Sequence, residues 1–281
     1  MIRLGANRYG KSRVRLVRVK RRGDWHDLCE WTVQVLLGGD FVSCFADGDN
    51  SKVLPTDTMK NTVYSLARSS PAACIEEFAR ELVRFFIERN PQLDAAEVNI
   101  LETPWDRVAA NGEAAGTAFV QSSRELRTAN VASKRGGAVK VVSGLDHLVM
   151  LKTANSAFTG YVRDSLTTLE ETRDRLFGTS LTANWSYASD DLPFPVLRQT
   201  VRNRLLTTFA EHKSESVQHT LYAMAKRVLH EVPEVSEIQL AMPNKHCLLV
   251  DLSRFGQDNP NEIFVPTDEP HGYIEARVVR E

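Results

Sequence analysis

Two hydrophobic periods alternate along this chain, and where they change the elements begin and end. From Lys11 to Arg22, Val14, Leu16, Val17 and Val19 are β-prone with Arg13, Arg15 and Arg18 among them, which predicts a strand. Trp25 to Phe41 supplies a second strand, centred on Trp31–Leu37 and ending at Gly38-Gly39-Asp40. The period then becomes helical. In Leu54-Pro55-Thr56-Asp57, Pro55 favours an extended residue before it, and Thr56 is placed to cap the turn that follows. Met59, Val63, Leu66 and Ala67 recur at helical spacing. A longer helix is expected from Pro71, with Ser70 as its cap and proline in first position. Its apolar stripe is Ile75, Phe78, Ala79, Leu82, Val83 and Phe86, and Asn90-Pro91 ends it. Two strand-like runs, Ala96 to Leu101 and Thr117 to Ala132, follow.

The second half repeats this plan. Lys140 to Lys152 and Leu181 to Ala188 read as strands, Pro195 to Ala210 and Ser216 to His230 as helices. The last of these carries Val217, Leu221, Met224, Ala225 and Val228 on one face. Its end, Val232-Pro233 before Glu237-Ile238-Gln239-Leu240, mirrors Asn90-Pro91 before Glu97-Val98-Asn99-Ile100, which suggests an internal duplication. The expected fold is α+β: two tandem units, residues 1–136 and 137–281, each an antiparallel sheet with helices on one face. Such sheets have open edges that soluble proteins rarely leave bare. Closure of subunits edge to edge into a barrel removes them, so oligomerisation is expected.

Composition narrows the class. The 281 residues carry a formal net charge of −1, which argues against a dedicated nucleic-acid or membrane-surface protein. The arginines of Lys11–Arg22 have no interleaved aromatic residues, as a nucleic-acid stripe would, and read as the solvated or channel-facing side of a sheet. No apolar run approaches the roughly 20 residues needed to span a bilayer. The first residues lack a signal-peptide core and Arg277–Glu281 is not the Ser-Lys-Leu type of peroxisomal address, so a cytoplasmic protein is expected. Cys29, Cys44, Cys74 and Cys247 form no C-x-x-C pair, so they are expected to be buried thiols and not metal ligands. There is no G-x-G-x-x-G and no P-loop.

Six stretches hold candidate chemistry, each with an ordinary reading beside it. Leu54–Tyr64 starts a helix, and a helix N-terminus suits an anionic ligand; many such starts are only capped turns. Lys11, in Arg8-Tyr9-Gly10-Lys11, is by itself a solvent-exposed lysine. Phe158, in Asn155–Tyr161, reads as core or as a stacking ring. In Thr167–Arg175, Thr168 and Glu171 fit a capping box, whereas Arg175 offers a guanidinium with two parallel donors. Ser216-Val217-Gln218 opens a helix, and Pro243-Asn244-Lys245-His246 ends a strand.

In wording and order, from Tyr9 to Ala276, these stretches resemble the urate oxidases (uricases), whose Thr-Asp and Asn-Lys-His signatures match Thr56-Asp57 and Asn244-Lys245-His246. The resemblance implies the tunnelling fold, with four chains stacking into a hollow barrel. It implies a homotetramer whose sites are shared, Thr56 and Asp57 of one chain facing Phe158, Arg175, Gln218 and Asn244 of the partner subunit. It assigns Phe158 to lie flat on the purine. Arg175, the Val217 backbone and the Gln218 side chain clamp the ring's edges, and Asn244 with Thr56 holds dioxygen or water above it. Lys11, Thr56 and His246 handle protons, imidazole titrating nearest neutral pH. The implied reaction is urate plus dioxygen plus water giving 5-hydroxyisourate and hydrogen peroxide, with no metal and no organic cofactor. A zinc-dependent pterin enzyme of the same fold and a non-catalytic purine or RNA binder are the rival readings.

Overall fold

The computed structural model describes residues 2–281. The chain divides into two compact units, Met1–Gly144 with Ser186–Pro195, and Leu145–Trp185 with Val196–Glu281.

The first unit contains β1 (Tyr9–Arg22), β2 (Trp25–Gly39), the short α1 (Val42–Ala46), α2 (Thr56–Ser69), α3 (Ile75–Arg89), β3 (Leu93–Thr103), β4 (Asp106–Ala110), β5 (Glu113–Val120) and β6 (Leu126–Lys134). Strands β1, β2, β3 and β6 pair in that order, each antiparallel to the next. Alternation along β2 sends Trp31, Val33, Val35 and Leu37 to one face, where Val98, Ile100 and Val131 join them. Against that face lie Met59 and Val63 of α2 and the whole expected stripe of α3, all buried. Trp31 stacks on Phe78 with ring centroids 5.0 Å apart. Each such large side chain, fully buried, contributes about 1.5–3 kcal/mol of hydrophobic stabilisation. The other face of the sheet carries Gln34, Asn99 and Asn130, joined by side-chain hydrogen bonds.

Three local expectations change here. Thr56 is the first helical residue of α2; Pro55 occupies the cap position, and no side chain caps this end. Helix α3 begins at Ile75 after Cys74, not at Pro71. Ser70 instead closes a turn, its hydroxyl accepting from the Ala72 N–H at 3.1 Å and donating to Glu81. The run Thr117–Ala132 is broken at Gln121–Glu125, so that β5 pairs with β4 in a separate hairpin and β6 joins the main sheet. The break falls on the polar sequence Gln-Ser-Ser-Arg-Glu, which has no apolar residue to bury.

The second unit contains most of β7 (Lys140–Lys152) and β8 (Phe177–Tyr187), then α4 (Phe194–Glu211), α5 (Val217–Glu231), β9 (Val235–Leu249) and β10 (Phe264–Val279). Its strand order is β7-β8-β9-β10. Val217, Leu221, Met224, Ala225 and Val228 of α5 are buried as expected, and α5 packs on β9 and β10. Pro243–His246 lies inside β9, which runs on to Leu249, and Pro266–Ala276 is part of β10.

The α+β fold with antiparallel sheets is thus as expected, and the repeat of two strands, two helices and two strands has a chemical counterpart. Arg135, just after β6, donates to the carbonyls of Ile87, Asn90 and Leu93 at 2.6–3.0 Å. Arg280, just after β10, donates to Leu229, Val232 and Val235. At the same spacing, each arginine binds a carbonyl of the last helical turn, one of the residue just past the helix, and one of the first residue of the strand that follows. Among the described residues no helix is long and apolar enough to cross a membrane.

Candidate active site

Each unit assembles its own group of the expected residues. In the first unit, Lys11 lies in β1 and Thr56 and Asp57 open α2. Tyr9 ties the two elements together: its hydroxyl accepts from the Leu54 N–H at 2.7 Å and donates to the Leu54 carbonyl at 3.1 Å. The ring meets Phe41 edge-on at 4.8 Å, and burial raises the phenol's pKa. Tyr9 therefore stays neutral and keeps both bonds. Between Tyr9 and Lys11 only glycine fits, because a Cβ on Gly10 would lie 1.8 Å from the Val35 carbonyl oxygen. The Tyr-Gly-Lys sequence is thus a mount for the lysine: a staple, a close backbone crossing, and the side chain to be aimed. The sequence signal for Tyr9 was present in that motif, but its bond to Leu54 joins residues 45 apart.

At α2 the absent side-chain cap leaves the Thr56 hydroxyl without a hydrogen-bond partner among the described residues, and leaves the first-turn N–H groups open. Asp57 is exposed; its carboxylate accepts from Lys60 and, at 2.9 Å, from Asn61. Lys60 chiefly, with Asn61 and Lys11 adding to it, holds the Asp57 carboxyl below its ordinary range. Lys11 is therefore within electrostatic reach of the start of α2.

In the second unit the irregular segment 155–176 does the assembling. No helix forms at Thr168–Glu171; the Glu171 carboxylate accepts from the Gly160 N–H at 2.9 Å, and there is no capping box. Phe158 exchanges backbone bonds with Thr172 at 2.8 and 3.1 Å, the Arg175 N–H donates to the Ser156 carbonyl at 2.9 Å, and the Ala157 N–H donates to Ser214 at 2.7 Å. These few bonds gather Phe158, Arg175 and the start of α5. The Arg175 guanidinium lies 5.6 Å from the Phe158 ring centroid. It is desolvated, which lowers its pKa, and its Nε is buried without a partner. An unpaired buried donor costs on the order of 1–3 kcal/mol until an acceptor arrives. Tyr161 stacks on Phe158 at 4.9 Å and 13°, held by its hydroxyl on the Leu169 carbonyl at 2.6 Å.

At α5, Ser216 caps the helix, accepting from the His219 N–H at 3.1 Å. Val217 is buried, so only its backbone can meet a ligand, whereas Gln218 is exposed. On β9, Asn244 pairs with Gly272 and His246 with Thr267, and between those pairs β10 bulges through Asp268–His271 opposite Lys245. Asn244 is nearly buried, and neither its side chain nor that of His246 has a hydrogen-bond partner among the described residues.

The four cysteines are free and half-buried, short of the full burial expected. Burial, with Glu76 nearby, pushes the Cys74 thiol up to about 12, which keeps it inert. Among the described residues no group of three or more His, Cys, Asp or Glu side chains is placed to hold a metal ion.

The family model described as Uricase matches residues 7–132 and 141–275. The uricase of Arthrobacter globiformis is 41% identical over 278 residues, covering 99% of this chain and 90% of the relative. That of Dictyostelium discoideum is 39% identical over 277 residues, covering 98% and 96%. The crystal structure of the Arthrobacter globiformis uricase is similar with a TM-score of 0.95 at 40% identity, covering 100% of this chain and 96% of that one. A urate oxidase structure from Bacillus sp. TB-90 shares the fold with a TM-score of 0.86 at 23% identity.

Proposed function

This chain belongs to the uricase family, and from that premise we propose how its two groups of residues carry out the oxidation of urate. The protein is an oxidoreductase, a urate oxidase. In the reaction we assign, urate, dioxygen and water give 5-hydroxyisourate and hydrogen peroxide. Urate itself supplies the electrons, and no metal or organic cofactor takes part.

The observation that carries the binding half is Arg175, a desolvated guanidinium with an unpartnered Nε beside an aromatic ring. Such a site favours a flat anion that accepts hydrogen bonds along one edge. Urate fits: Phe158 supports its face, Arg175 and Gln218 hold opposite edges, and the Val217 backbone meets the ring. Asn244 and Thr56 place dioxygen, and later water, above it. Lys11, Thr56 and His246 form one proton-handling unit. Lysine withdraws a proton through the threonine hydroxyl while histidine assists, so that charge is moved without bulk water. Holding three reactants in one geometry removes much of the entropic barrier to their meeting.

Since Lys11, Thr56 and Asp57 sit in one unit and the ring-binding residues in the other, the reading includes a homotetramer in which Thr56 and Asp57 face Phe158, Arg175, Gln218 and Asn244 of the partner subunit. The open edges of the strands give the physical motive for such closure.

The test is the decay of urate's near-ultraviolet absorbance with chelator-treated protein in air-saturated buffer, with peroxide assayed in parallel. Equal loss of urate and gain of peroxide is expected. Turnover only after a metal is restored would overturn the cofactor-free reading. Sedimentation at micromolar concentration tests the tetramer, and a fully active monomer would exclude shared sites.

A further inference from the structure

Strand β1 is distorted beside Lys11. Lys11 pairs with Val35 and Val14 with Val33, so Ser12 and Arg13 together oppose the single residue Gln34. This is a β-bulge, a device that re-aims a side chain. Arg13 holds it with φ of 57°, in the left-handed region that favours glycine. A strained bulge persists only where its surroundings over-determine it.

The surroundings are a row of side-chain amides on the helix-free face, anchored on the Glu97 carboxylate, which accepts from Asn99 at 3.1 Å. Gln34 Nε2 donates to Ser12 Oγ at 2.7 Å. Asn99 Nδ2 donates to Gln34 Oε1 at 3.1 Å, and Asn130 Nδ2 to Asn99 Oδ1 at 2.6 Å. The row turns back through Glu97, which accepts from Asn130 at 2.9 Å and pairs with Arg8 at 2.7 Å. It therefore starts one residue after Lys11, crosses four strands, and ends on a residue just before the Tyr-Gly-Lys mount. In the second unit His147 of β7 also has φ of 57°, and the adjacent Asp146 accepts from the His147 N–H at 2.9 Å and from Thr182 at 2.7 Å. There a carboxylate contacts the strand directly, whereas beside Lys11 the group that touches the bulge is the Gln34 amide, and the Glu97 carboxylate is reached only through Asn99 and Asn130. A carboxylate in Gln34's place would add negative charge beside the lysine and hold its proton more tightly.

We propose that Gln34, backed by Asn99 and Asn130, is a positioning residue for Lys11: it fixes the Ser12–Arg13 bulge and so the direction in which the lysine leaves β1. The inference rests on the reading of Lys11 as a proton-handling residue. A misplacement of about 1 Å in such a group costs roughly a hundredfold in rate, so a side chain that fixes its direction has a kinetic consequence.

The experiment is a double-mutant cycle on the full chain with urate as substrate, reading kcat, KM, the pH profile and the melting temperature. Gln34→Ala is expected to lower kcat by about ten- to a hundredfold with KM nearly unchanged. In a Lys11→Met background the same change should lower kcat no further, because the residue it positions is gone. Gln34→Glu keeps an acceptor for Asn99 and for the Ser12 hydroxyl. It should recover most of kcat while moving the lysine limb of the pH profile upward. If Gln34→Ala does not fold, Ser12→Ala, at an exposed position, breaks the same link and should reproduce the loss. An unchanged kcat in the folded variants, a loss that multiplies with Lys11→Met, or a Gln34→Glu profile that does not move overturns the proposal. Full turnover by Lys11→Met alone would instead overturn the reading beneath it.

Discussion

Helices α2 and α5 both begin beside a hydroxyl residue, and they treat it in opposite ways. At α5, Ser216 stands one position before the helix in extended conformation, and its oxygen accepts from the His219 N–H. At α2, Pro55 takes that outside position, which pushes Thr56 into the first helical turn. There its side chain cannot fold back on an N–H further along. One hydroxyl is used by its own helix; the other is left free beside open N–H groups. An imperfect helix end is thus a candidate binding place: α2 forgoes a side-chain cap, and its first-turn N–H groups stay open. Asp57, the acidic residue of its first turn, offsets the helix-end charge in part.

The comparison breaks most sharply at Thr56 and Lys11. Since acid–base groups contribute about 10²–10⁴-fold, Thr56→Ala and Lys11→Met should each lower kcat by that order with modest change in KM. Because Thr56 caps nothing, its alanine variant should melt with the parent. Steady-state kinetics beside thermal melting checks both halves. A Thr56→Ala protein that is destabilised but turns over normally would make α2 an ordinary capped helix after all.

The next effect is on binding. Stacking of a base on an aromatic ring is worth about 1–3 kcal/mol, so Phe158→Ala should weaken urate, or a competitive purine inhibitor, by roughly five- to 150-fold while sparing the α2 side. Titration calorimetry with the inhibitor measures this directly. Equal affinity in the variant would remove Phe158 from the ring's face. Smaller again is the cap itself: Ser216→Ala should cost about 0.5–2 kcal/mol of stability, read by denaturant unfolding, with kcat lowered far less than in Thr56→Ala.

What the sequence made legible follows the reach of periodicity. The stripes of α3 and α5 and the ends of β7 were readable because each is a run of local alternation. The antiparallel α+β plan followed from their order. Features that join distant residues were not. The Arg135 and Arg280 clamps on helix-end carbonyls, the Tyr9–Leu54 staple and the amide row behind Ser12 have no local pattern. The expected cap at Thr56 failed because proline and threonine compete for one backbone position, and proline's fixed φ prevails. Around Phe158 the chain has no period at all, and a handful of backbone bonds decides where Phe158 and Arg175 lie. The candidate residues were therefore picked out by motif, but the structure that holds them was not legible.

The smallest predicted difference between the two helix starts is in their response to acid. His212 lies just before α5, its ring 4.3 Å from that of His219, with Lys152 donating to its carbonyl. Burial first, then the nearby His219 and Lys152, lower its pKa, while Glu215 opposes them. A histidine depressed in the folded state binds its proton more readily when unfolded, at about pH 6.5. The stability that neutral His212 provides is therefore complete above that pH and declines as pH falls below it, toward the folded pKa. Ser214, two residues on, holds Asn155 and Ala157 by backbone bonds, so loosening here reaches the Phe158 segment. The melting temperature should fall between about pH 7.5 and pH 5.5, and His212→Gln should shrink that fall because glutamine gains no proton. Purine-inhibitor affinity should weaken over the same window in the parent and less in the variant. An acid response identical in both would place the sensitivity elsewhere and leave the start of α5 as fixed as its cap suggests.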